Sequence, residues 1–252
     1  MADKKDVRKF DTEESVAVAL ADHVAGLSEK FIKEKGSITI VLSGGTPINT
    51  LGMMLIIQEV LEAPYKRTVD WVNWLVFWVD ESVGLVTDPD NYFNQAKKGF
   101  LSKVPIPEDN FYPMMPIGGT PTPVQAAEYY DSRLKNLVQT KILPKSTNGY
   151  PQFDLMLLGL GPSGLVASLF PNRGQLSMTT PWVTFAQTHQ HHLNQGLLLS
   201  FQQSTHVQRL QLWPPGSTWP FLCIWRSQPD VLPGLNCCLL KKFHLNRSSP
   251  GF

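Results

Sequence analysis

Cysteine is scarce in this chain. Its three cysteines, Cys223, Cys237 and Cys238, sit among 252 residues and form no C-x-x-C pair. No disulfide framework or zinc spacing follows, and the reducing cytoplasm is the expected compartment. An excess of either charge is also missing. With 22 basic and 21 acidic residues the net charge is +1, which removes the electrostatic case for nucleic acid or an anionic membrane as partner. No apolar run approaches the roughly 20 residues of a membrane span. The first ten residues mix both charges and lack an apolar h-region, and Asp3, Asp6 and Asp11 do not suit an acid-poor transit peptide. There is no G-x-S-x-G elbow and no Walker loop.

Such a length builds one large α/β domain or two small ones, but composition changes near residue 186. Residues 1–185 hold 20 of the 21 acidic and 17 of the 22 basic residues, whereas Asp230 is the one acid of the remainder. All three cysteines and five of six histidines also lie beyond 185. The apolar runs 197–201 and 237–243 have no clear helical or strand period, and Trp213-Pro-Pro-Gly-Ser-Thr-Trp-Pro220 reads as turns. This region is neither polar enough for a disordered tail nor amphipathic enough for a folded half. It is read as an atypical tail over residues 186–252, translated in a different reading frame or from retained or mis-split exon sequence. His189, His191 and His192 have the chemistry to chelate a metal, although a chance cluster is the commoner origin of such a group.

Residues 10–185 are regular. Asp11-x-x-Glu14 resembles a capping box. Val16, Leu20, Val24, Leu27 and Phe31 share one helical face, with Gly36 as the C-cap. A β-branched strand is expected at Ile38 to Leu42, and a second helix through Leu51, Leu55 and Val60. Further strands are expected at Trp74 to Val79 and Phe153 to Leu158, with another starting at Trp182. Asp90 caps a helix reaching Phe100, and Thr122-Pro123 opens one with Ala127, Tyr130, Leu134 and Leu137 inward. Alternation of strands and helices predicts α/β: a mainly parallel sheet with helices on both faces. Ligands of such sheets sit beyond the strand C-termini.

Three loops fall there. Ser43-Gly44-Gly45-Thr46 leaves backbone N–H groups unobstructed at a helix start, which suits a phosphate; a tight connection is the plainer reading. Asp80-Glu81 at a strand end can orient sugar hydroxyls or a water, or else form a solvated terminus or a helix cap. Gly159 to Pro171 follows an uncharged strand with Gly161-Pro162-Ser163-Gly164, either an active-site loop or a bare turn.

In sequence order these loops resemble the 6-phosphogluconolactonases, plant type included. The family usually reads G-x-G-x-D-G-H-x-A-S-L-F-P where this chain has Gly159 to Pro171, with Ser163 and Leu165 at the Asp and His positions. It typically shows Leu-Ser-Gly-Gly-Ser-Thr-Pro, one residue longer than Leu42 to Pro47, and Asp-Glu-Arg where Ser82 follows Glu81. Pro89-Asp90-Asn91-Tyr92 and Leu101 to Pro107 also match. The resemblance spans about residues 10 to 185 and implies a lactonase-like domain, incomplete at its C-terminal end. It implies the fold shared with glucosamine-6-phosphate deaminases and ribose-5-phosphate isomerases, and hydrolysis of 6-phospho-D-glucono-1,5-lactone to 6-phosphogluconate in the oxidative pentose phosphate pathway. No metal or organic cofactor is implied. Phosphate and substrate would meet Ser43, Gly44, Gly45, Thr46, Gly161 and Gly164, with Asp80 and Glu81 as the acids. The family histidine suits the general base and its aspartate the group that orients it; Leu165 and Ser163 predict weak turnover or none. A non-catalytic sugar-phosphate binder and a truncated product without function are the alternatives.

Overall fold

The computed structural model describes residues 6–10, 13–43, 68–84, 88, 91–99, 101–146, 149–160, 181–187, 195–199, 221–225 and 235–241. Ten strands and three α-helices are present among them. Strand β2 (Ile38–Leu42) is flanked by β3 (Trp74–Trp78) and β6 (Leu155–Leu160), both parallel to it, and β5 (Phe111–Tyr112) lies parallel beyond β3. This is the expected parallel core. On the far side of β6 the sheet continues antiparallel through β9 (Phe221–Trp225) to β10 (Leu235–Lys241), and β1 (Asp6–Phe10) pairs parallel with β10. A separate antiparallel sheet, not anticipated, joins β4 (Asp80–Ser82), β8 (Gln195–Leu199) and β7 (Val183–Gln187). Three of these strands lie beyond residue 186, where the apolar runs lack a readable period.

Helices cover both faces of the parallel core. Helix α1 (Glu13–Lys35) presents Leu20, Val24, Leu27 and Phe31 to the core. It ends at Gly36, whose φ of +84° suits glycine and whose N–H reaches the Ile32 carbonyl at 2.8 Å. Alternate residues of β3 face opposite ways. On one face Trp74 Nε1 donates to Ser28 Oγ of α1 at 2.8 Å. On the same face Trp78 meets Phe93 of α2 (Tyr92–Gly99) edge-on, 5.2 Å between centroids. On the other face Phe77 stacks on Tyr112 at 4.5 Å. Arg133 of α3 (Pro123–Gln139) lies 4.9 Å over that ring. Every residue of β2 is buried, as a strand covered on both faces requires. Each large apolar side chain so buried contributes about 1.5–3 kcal/mol.

The helix starts are set by side chains. Thr122 and Gln125 form a reciprocal capping box with Pro123 in the first turn of α3. Its inward residues Ala127, Tyr130, Leu134 and Leu137 are buried as the spacing predicts. Asn91 caps α2, its Oδ1 accepting from Asn94 N–H at 2.9 Å. The expected caps Asp11 and Asp90, the helix through Leu51 to Val60, and the histidines at 189 to 192 lie outside the described residues. Among the described residues no helix is long and apolar enough to cross a membrane.

Candidate functional site

The register of the parallel strands brings two of the three loops to one edge. Leu42 lies opposite both Trp78 and Leu157. One step further, Ser43 N–H donates to the Leu157 carbonyl at 3.0 Å, and Val79 N–H donates to the Leu42 carbonyl at 2.8 Å. Ser43 and Asp80 therefore leave the C-terminal edge side by side, and β6 runs up next to them towards residue 161. The chain passes from β2 outward to β3 and β5 before β6 enters on the other side of β2. That reversal of direction is where open α/β sheets form a ligand crevice.

Ser43, Asp80 and Glu81 are all buried. Ser43 Oγ donates to Asp80 Oδ1 at 3.4 Å, long for a hydroxyl–carboxylate bond, so the contact is weak. Trp78, two residues before Asp80, is held from another side. The Tyr130 hydroxyl accepts from Trp78 N–H at 3.3 Å and donates to the Trp78 carbonyl at 3.2 Å. This supplies partners at the end of β3, where the ladder to the two-residue β5 has stopped. Burial drives the Tyr130 hydroxyl well above the ordinary tyrosine range, so it serves as a neutral clamp. Nothing local in the sequence separates Tyr130 from an ordinary inward-facing helix residue.

Glu81 differs from Asp80 in what it touches. Its Oε1 accepts from Ser82 N–H at 2.8 Å and Tyr92 N–H at 2.7 Å, and its Oε2 from Phe93 N–H at 3.1 Å. Burial pushes the Glu81 carboxyl up to about 8; the three amide donors pull the other way and the neighbouring Asp80 adds to the rise. Of the remaining candidates, Gly44, Gly45, Thr46, Gly161, Ser163, Gly164 and Leu165 lie outside the described residues.

The raised Glu81 carboxyl has a measurable consequence. Between its ordinary value of 4.5 and about 8, the folded chain keeps a proton that the unfolded chain has released. Its stabilising contribution is complete below the ordinary value and is lost as pH rises through about 8, with a limiting slope of about 1.4 kcal/mol per pH unit. Urea denaturation from pH 5 to 8 should show wild-type stability falling relative to Glu81→Gln. Parallel profiles would contradict the assignment.

Comparison with known proteins agrees with this fold. The sequence pattern of the glucosamine-6-phosphate isomerases/6-phosphogluconolactonase family matches residues 11–203. The chain is 46% identical over 178 residues to a probable 6-phosphogluconolactonase 5 of Arabidopsis thaliana, covering 70% of this chain and 68% of that protein. It is 44% identical over 182 residues to the chloroplastic 6-phosphogluconolactonase 3 of the same plant, covering 72% of this chain and 53% of that one. Among solved structures, a 6-phosphogluconolactonase from Thermotoga maritima superposes with a TM-score of 0.60 at 22% identity, over 79% of this chain and 78% of its own. A monomeric glucosamine-6-phosphate deaminase gives 0.55 at 18%, over 78% and 76%; at these identities both show the fold. This chain belongs to the glucosamine-6-phosphate isomerase/6-phosphogluconolactonase family.

Proposed function

We propose that this chain binds 6-phospho-D-glucono-1,5-lactone and its hydrolysis product 6-phosphogluconate as a cytosolic member of its family, with residual lactonase turnover. The observation that carries the reading is the meeting of Ser43 and Asp80 at the switch point of the parallel core. Ser43 leads into Gly44-Gly45-Thr46, the sequence segment whose glycines suit a phosphate. Asp80, at the edge of the next strand, suits a sugar hydroxyl or a water. In hydrolysis water adds to the lactone carbonyl carbon, and the ring C–O bond then breaks as its oxygen takes a proton. A group that accepts the water's proton lowers that barrier. Leu165, at the family histidine position, has no atom that does so, which favours the second reading of a binder that has lost most of its chemistry.

Titration calorimetry with 6-phosphogluconate tests the site. Wild type should bind. Asp80→Asn, which keeps shape and removes charge, should weaken binding about tenfold, on the order of 1.4 kcal/mol for a charge-assisted hydrogen bond. Absence of binding by wild type at millimolar ligand would refute the reading. Binding without lactone turnover would identify the binder.

A further inference from the structure

Asp80 and Glu81 are consecutive residues of β4, and alternation along a strand turns their side chains to opposite sides. The Glu81 carboxyl group turns both oxygens to backbone N–H groups from two places in the chain. One is Ser82, the next residue of the strand; the others are Tyr92 and Phe93, the first two residues of α2. Amides of a first helical turn have no partner within the helix, and Asn91 Oδ1 takes the one at Asn94. Glu81 therefore closes the chain between residues 82 and 92 at its base, at a side chain only 1% exposed. An acid that works on substrate needs an oxygen directed at the ligand. Here the oxygens are directed at three amides.

We infer that Glu81 is a positioning residue: it locks the strand carrying Asp80 to the first turn of α2 and thereby sets where the Asp80 carboxylate points. The inference rests on the proposed sugar-phosphate site. It assigns Glu81 no proton transfer: of the readings of the Asp-Glu pair, Glu81 follows the helix cap and not the substrate-facing role.

The test compares Glu81→Gln, Glu81→Ala and, as a control at the opposite end of the sheet, Thr39→Val. Glutamine keeps an acceptor at the Oε1 position and places an amide group against Phe93 N–H. Affinity for 6-phosphogluconate should stay within about threefold of wild type in Glu81→Gln and fall about tenfold or more in Glu81→Ala. Hydrogen exchange should speed up at Phe93 alone in the first variant and at Ser82, Tyr92 and Phe93 in the second. Thr39→Val should lower the melting temperature and leave affinity unchanged. Glutamine as damaging to affinity as alanine would overturn the inference, because the Glu81 acid itself would then act on the ligand. Unchanged affinity in Glu81→Ala, or equal loss in Thr39→Val, would overturn it too. If Glu81→Ala fails to fold, Glu81→Gln decides: lost affinity with protection kept at Ser82 and Tyr92 refutes the inference. If wild type binds no 6-phosphogluconate, the functional reading fails. The Asp80 carboxyl carbon resonance then remains as readout, sharp in wild type and Glu81→Gln and broadened in Glu81→Ala; sharp in all three would overturn the inference.

Discussion

Lactone turnover should rise by about 10²- to 10⁴-fold when Leu165→His and Ser163→Asp are made together, the usual contribution of a well-placed general base. The imidazole would take the attacking water's proton and the carboxylate would hold it in the right tautomer. Ser82→Arg, added to that pair as a triple variant, should lower KM, because a guanidinium offers paired donors to a phosphate or carboxylate. The measurement is initial rate on fresh lactone with uncatalysed hydrolysis subtracted. Two results would refute the argument. One is family-like turnover by the unmodified chain, which would mean that another residue supplies the base. The other is no gain in a double variant that still binds 6-phosphogluconate.

Asp154→Ala should cost about 3 kcal/mol of stability, the largest single loss expected outside the apolar core. The Asp154 carboxylate is buried at the start of β6. Its Oδ2 accepts from Thr39 N–H and Thr39 Oγ1, both at 2.8 Å, and from Lys35 Nζ at 2.7 Å. Its own N–H donates to Thr39 Oγ1 at 2.9 Å. The end of α1 and the beginnings of two central strands are fastened by one side chain. Lys35 is 33% exposed, so water screens the ion pair and most of the loss comes from the two orphaned donors of Thr39. At about 2–4 °C per kcal/mol for a chain of this size, the melting temperature should drop by about 6–12 °C. Affinity for 6-phosphogluconate should be retained below the transition, because Asp154 lies at the end of the strands away from Ser43 and Asp80. A drop under about 2 °C, less than 1 kcal/mol on the same scale, would show that the fastening carries little weight.

Sequence patterns were readable where they were local. The β-branched run Ile38 to Leu42 is the observed β2 to the residue, because Gly36 before it and Ser43-Gly44 after it break the chain. The apolar faces of α1 and α3 were readable from their spacing for the same reason. Strand β1, Asp-Val-Arg-Lys-Phe, shows no two-residue alternation, and the two residues of β5 are too few to show any. Strands β8 and β10 overlap the runs 197–201 and 237–243, which have neither period. At the site, the order of the three motifs was legible, and so was the arrival of Ser43 and Asp80 at one edge. A helix cap was among the readings of Asp80-Glu81, but which helix Glu81 would meet was not legible, because its partners Tyr92 and Phe93 are eleven and twelve residues away with no repeating pattern to connect them. The Asp154 fastening spans 115 residues and leaves no trace in composition or periodicity.

That span also orders events during synthesis. Ile40 pairs with Leu155 on one side and with Val76 on the other, so β2 gains its second neighbour far sooner on one side than on the other. At about 5–20 residues per second, the ribosome needs roughly 6–23 s to cover those 115 residues. Once β3 has been made, β2 and β3 are available to each other for the rest of that interval, while the edge of β2 that will receive β6 presents unpaired amides along an apolar strand. Such an edge is a template for pairing with another chain, so the risk of misassembly falls on a strand that ends in the interior of the finished sheet.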